Sequence, residues 1–248
     1  MYRTLDPDKI IATLDALSRR IAERFPGAGL GKVAADLLDV ARTAQARADK
    51  IAEPYLGLRA LILLVLIAGL SGIAMIARHA YRYGLIKIEN STEFFGAMQG
   101  IDAAVNLLIV MSVAIFTLFR LETRMKRSQA LGDLHQLRSI IHVIDMHQLT
   151  KDPSAVLGQL PSTQSSPARV LSALELMRYL DYCSEMLSLS SKVAAIYAQN
   201  LRDAVVIGAV NELEQLTTNL SHKIWQKITI LERTDPEAAR ATISAPAD

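Results

Sequence analysis

The sequence predicts an all-α protein: a two-span transmembrane hairpin with an N-terminal helical pair before it and a C-terminal cytosolic helical bundle after it. Three observations carry the prediction. Two apolar runs, about 58–78 and 101–119, approach the length needed to cross hydrocarbon. Outside them, apolar residues recur at three- and four-residue spacing, the period of a helix with one buried face. Hydrophobic residues make up 51% of the 248 and mean hydropathy is +0.23, high for a soluble protein and low for a polytopic transporter.

The N-terminal region, 1–56, reads as two cytosolic amphipathic helices. Asp6 is placed to cap the first, Pro7 suits its first position, and Leu5 is placed to staple against Ile10. Ile10, Leu14, Leu17 and Ile21 share a face opposite Asp15, Arg19 and Arg20, and Phe25-Pro26-Gly27 ends the helix. A second helix is expected from about Lys32 to Glu53, with Leu37, Ala41, Ala44, Ala48 and Ile51 on its inner stripe. The intervening Pro26–Val33 segment has a glycine-rich look, but it is no phosphate loop. Pro26 stands where the first glycine belongs, Val33 stands where magnesium needs a hydroxyl, and no strand precedes it. The start is charged and lacks the apolar stretch of a signal peptide.

Residues 57–120 form the expected hairpin. Leu58–Ala77 carries one charge, Arg59, near its end, where it can snorkel to the headgroups. Ala68 and Gly72 form a small-xxx-small pair, with Gly69 and Ser71 beside it, suited to close helix contact. In the second span Asn106 and Thr117 share a face with Val110 and Val113, and Asn106 is expected to hydrogen-bond between helices. Tyr55, Tyr81, Tyr83, Phe116 and Phe119 sit where interfacial aromatics belong. In the connection, Leu85–Ile88 is expected to be extended, Ser91 or Thr92 to cap the next helix, and Asn90-Ser91-Thr92 matches a glycosylation sequon. Arg42, Arg47, Lys50 and Arg59 precede the first span; Arg120, Arg124, Lys126 and Arg127 follow the second. This excess over Arg78, Arg82 and Lys87 of the connection places both termini in the cytoplasm, on a bacterial inner membrane. The second group also forms a basic collar for anionic membrane lipids.

A membrane-proximal long helix, 121–150, continues the second span. Ala130, Leu134, Leu137, Ile141 and Ile144 repeat at coiled-coil spacing, with Ile140, Val143 and Met146 off that stripe. The surplus needs more than one neighbour, so this part is expected inside a bundle or an oligomer, and Leu134, Leu137, Ile141, Ile144, Ala68 and Gly72 are the residues expected at a homo-oligomer interface. Residues 151–168 read as a linker, in which Asp152-Pro153 restarts a short helix. A helical hairpin fills 169–233, with helices at about Arg169–Gln199 and Asp203–Arg233. Its inner faces offer Leu176, Leu180, Cys183, Leu187, Ala194 and Tyr197, then Val206, Val210, Leu213, Leu220, Ile224, Ile228 and Leu231. Residues 234–248 read as a disordered tail.

Chemistry is sparse. The lone Cys183 reads as a buried apolar residue in a reducing compartment. Tyr179 and Trp225 are expected in the core. On the 121–150 helix, His135, Arg138, His142 and Asp145 share a polar face; His142 and Asp145 are the metal candidates, and His135, about 10 Å away, is too distant to join them. An ion-paired ladder explains the face more simply: Asp145 pairs with Arg138 or a basic neighbour, and His142 stays neutral. The net charge of +2 argues against nucleic acid. No catalytic triad, metal-binding cysteine pair or nucleotide fingerprint occurs, so neither enzyme nor cofactor is expected. The functional expectation is a scaffold or adaptor that oligomerises and docks a cytosolic protein partner. The alternatives are an effector-type pore lined by Asn106, Ser112 or Thr117, and a metal- or pH-sensing membrane protein.

Overall fold

The computed structural model describes residues 4–82, 91–156, 164 and 171–234, and every regular element among them is helical. The helices are α1 (Pro7–Arg24), α2 (Gly29–Ala52), α3 (Leu56–Arg82), α4 (Ser91–Leu149), α5 (Pro153–Val156), α6 (Ala173–Asn200) and α7 (Ala204–Thr234). The expectations for Tyr83, Leu85–Ile88, the Asn90 sequon, the linker around Pro161–Pro167 and the tail beyond Thr234 fall outside the described residues, as do the capping side chains of Ser91 and Thr92. Two compact units divide the chain: 1–52 with 129–248, and 53–128.

The first unit is a helical bundle built from α1, α2, the end of α4, α5, α6 and α7. The Asp6 carboxylate caps α1 by accepting from the Asp8 and Lys9 amides at 3.1 and 3.4 Å. Gly27, at φ 76°, turns the chain into α2 in a conformation that an L side chain rarely adopts. α2 begins at Gly29, earlier than expected, because Leu30, Val33 and Ala34 all pack into the core and draw the glycine-rich segment into the helix. A capping box between Ser172 and Glu175 starts α6. The inner faces expected for α1, α2, α6 and α7 are all buried. They join one core with Phe25, which meets Tyr179 and Tyr182 edge-on at centroid distances of 5.4 and 6.2 Å.

Ala130, Leu134, Leu137, Ile141 and Ile144 are 0–3% exposed and belong to that same core. This corrects their expected role at an interface between copies. The stripe is satisfied by its own chain, because α2, α6 and α7 fold back around it. Trp225 is a second correction: α7 turns Ile224 inward, and the neighbouring indole, one helical step round, is 53% exposed.

The second unit holds α3 and the first part of α4, and both helices are long and apolar enough to cross a membrane. They run antiparallel. Met111 lies against Gly69, Leu107 against Gly72, and the Glu122 and Lys126 side chains meet the backbone at Tyr55 and Glu53. On α3 the covered positions are Leu58, Ile62, Val65, Leu66, Gly69, Gly72, Ile73 and Ile76. Ala68 is exposed. The close approach within the chain uses Gly69 and Gly72. Helical periodicity puts 69 on the seam and 68 one step outside it. A Cβ at Gly69 would overlap the Met111 sulfur.

Candidate functional site

The polar face expected on α4 divides into separate joints. Arg138 leaves Asp145 and donates to Glu212 of α7 at 2.8 Å. Asp145 instead accepts from Gln148 Nε2 at 2.6 Å, on its own helix. His142 is exposed. Of the two kinds of partner expected for Asp145, Arg138 instead pairs with Glu212, and the basic neighbour from another helix is Lys227 of α7, whose charged form Asp145 favours. Among the described residues no group of three His, Cys, Asp or Glu side chains is placed to hold a metal ion.

The histidine with a built environment is His147. It is half-buried, its Nδ1 stands 3.3 Å from the Tyr179 hydroxyl, and its ring fills the space beside Gly29, where a Cβ would come within 2.6 Å of Cε1. Burial, and then the positive charge of Lys151, hold its pKa below the usual 6.5. Lys151 itself lies 5.1 Å over the Tyr179 ring. Beside this pair, the Lys227 ammonium donates to the Gln148 carbonyl and Gln148 Oε1, each at 2.8 Å, and to the Lys151 carbonyl at 3.2 Å. A cation on the last carbonyls of α4 matches the negative end of the helix dipole. Burial depresses the Lys227 pKa although Asp152 and Asp145 oppose it. Burial also pushes the Cys183 thiol up to about 12, which makes it an inert core residue.

Nothing in the sequence alone singled out His147, since it shares no spacing with His142 and Asp145. Its environment is made by Gly29, Tyr179 and Lys151, which come from distant parts of the chain. The same holds for Asp133, only 7% exposed. It receives hydrogen bonds from Arg47 of α2 and from the Tyr197 hydroxyl of α6, the latter at 2.9 Å. An open cleft of about 300 Å³ is lined by Arg20, Glu23, Arg24 and Tyr182, but Arg20 is already engaged with Glu185 at 3.2 Å.

In the second unit the four basic residues of the collar do different work. Arg120 and Arg124 are exposed, with the Arg120 guanidinium 4.9 Å over the Phe116 ring. Lys126 is turned inward. Its ammonium bonds the Glu53 carbonyl at 2.8 Å and Glu122 at 3.1 Å, closing the open end of the α3–α4 pair. Arg127 is half-buried. Asn106 and Thr117 both lie on the exposed side of α4. The Thr117 hydroxyl returns to the Val113 carbonyl at 2.8 Å, whereas α3 meets α4 at Leu107 and Met111, about 120° round the helix from Asn106.

The chain matches no protein family, no curated protein and no solved structure.

Proposed function

We propose that this protein is a non-enzymatic, membrane-anchored helical scaffold that oligomerises and docks a cytosolic protein partner. The observation that carries the reading is the contrast between the two units. In the bundle, apolar stripes from five helices are covered by one another. On α3 and the first part of α4, large apolar side chains from Leu61 to Phe119 face outward, including Leu64 at 61%, Val110 at 66% and Phe116 at 59% exposed. Each such side chain favours an apolar surrounding by roughly 1.5–3 kcal/mol, so the whole surface in water would outweigh the stability of an ordinary domain. A bilayer is the environment that removes this conflict, with α3 and α4 as a two-span hairpin and Arg120 and Arg124 at the anionic headgroups.

In this reading both termini face the cytoplasm at a bacterial inner membrane, an orientation supported by the excess of basic residues outside the connection. The exposed Val143, Met146 and Leu149 at the end of α4 supply an apolar patch on the bundle for a cytosolic partner. Carbonate extraction of membranes expressing the full chain tests the anchor. Retention in the pellet is expected; release into the supernatant overturns the reading. The pore reading draws on one observation, the exposed polar positions Asn106, Ser112 and Thr117 on the second span. Two of these three hydroxyl or amide groups bond their own helix, Ser112 to Leu108 and Thr117 to Val113, which leaves a narrow lining for a water column.

A further inference from the structure

We infer that the face of α4 centred on Asn106 is the contact through which two copies of this chain meet inside the bilayer. The inference rests on the membrane reading above and names the surface and the partner. On α4 the covered positions Ala104, Leu107, Met111, Ala114 and Leu118 lie toward α3. Asp102, Asn106, Val110, Val113 and Thr117 follow each other at three- and four-residue steps along a separate stripe about 120° round the helix, and all are exposed.

Asn106 stands one turn inside the apolar stretch. Its amide carries two N–H donors and a carbonyl acceptor, and no described residue bonds to it. Lipid tails supply no hydrogen-bond partner, so an amide held at that depth needs protein against it. α3 meets α4 through Leu107 and Met111, about 100° and 140° round the helix from Asn106, so the amide faces away from that seam. A second copy inserted in the same orientation presents its own Asn106 at the same depth. The amide is self-complementary, each side donating to the other's carbonyl across a two-fold axis. Val110 and Val113 then pack against their counterparts on the following turns. Asp102, Arg120 and Arg124 would meet like charges, but they stand at the ends of the span, where water and salt screen them and the helices can diverge.

Full-length chains carrying Cys183→Ser and one new cysteine test this in native membranes under mild oxidation. Disulfide-linked dimers are expected at Val110→Cys and Val113→Cys, and none at Leu107→Cys or Met111→Cys. Adding Asn106→Leu should weaken self-association about three- to twenty-fold, read as lower cross-linking on dilution into nanodiscs, while Asn106→Gln should retain most of it. Protein that stays in the carbonate pellet but shows no such periodicity, or cross-links equally with Asn106→Leu, overturns the inference and leaves the membrane anchor standing. Release by carbonate overturns both. Ready labelling of Asn106→Cys by a small membrane-impermeant thiol reagent also overturns the inference, because it would place water rather than a second amide against that face.

Discussion

Three side chains in the bundle join helices that are far apart in the chain: Asp133, Lys227 and His147. Asp133 serves two partners at once, so Asp133→Ala would strand Arg47 and Tyr197 together. We expect the loss to be about 2–4 kcal/mol, measured by denaturant unfolding of the detergent-held protein. Lys227→Met keeps the aliphatic stem but frees the last carbonyls of α4. It should lower stability by about 1–2 kcal/mol in the same assay. His147 sets a pH dependence. Its folded pKa lies below its ordinary 6.5, so between those values the unfolded chain binds more protons than the folded one. Stability is therefore complete above about pH 6.5 and falls as pH drops through the folded pKa. Tyr179 and Lys151, the groups facing the ring, offer no acid to reverse that sign. His147→Gln should flatten the slope in melting temperatures recorded between pH 5 and 7.5.

At the scale of elements, most helices were legible because their signals are local. A carboxylate before proline, apolar residues every third or fourth position, and a serine–glutamate capping box need no knowledge of the rest of the fold. α4 tests how far that legibility extends. Its stripe from Ala130 to Ile144 reads correctly as buried, yet the covering partner lies within the chain. Leu137→Asp should accordingly unfold the bundle, at a cost of about 3–5 kcal/mol for an unpaired carboxylate in the core, rather than merely separate copies. Loss of the cooperative thermal transition is the expected result; a folded monomer would contradict it. In the second unit, Gly69→Leu should force α3 and α4 apart, because even a Cβ there meets the Met111 sulfur. Ala68→Leu, one step round the helix, should be tolerated. Protease resistance of the hairpin in nanodiscs distinguishes the two.

For the whole molecule, the division into a self-satisfied bundle and an outward-facing apolar pair makes topology the decisive question. In a Cys183→Ser background, an impermeant thiol reagent applied to intact cells should label a cysteine at Ser91 and spare one at Ser128. The reverse pattern would put the termini outside and contradict the orientation drawn from Arg42, Arg47, Lys50 and the residues around Arg120. Paired with Glu122 and the Glu53 carbonyl, Lys126 contributes less to a headgroup contact than the exposed Arg120 or Arg124 does.

The sequence by itself determined that the protein is helical, where its apolar stretches lie, and which residues of α1, α2, α6 and α7 turn inward. Those properties follow from backbone periodicity and capping, which act over a few residues. Only the tertiary structure decided what covers each face. It placed Leu137 against its own bundle, Gly69 rather than Ala68 on the helix seam, Trp225 outside, and His147 rather than His142 in a built pocket. Spacing along a helix says which side chains point the same way. What they meet depends on contacts between segments a hundred residues apart, where shape and desolvation choose the neighbour.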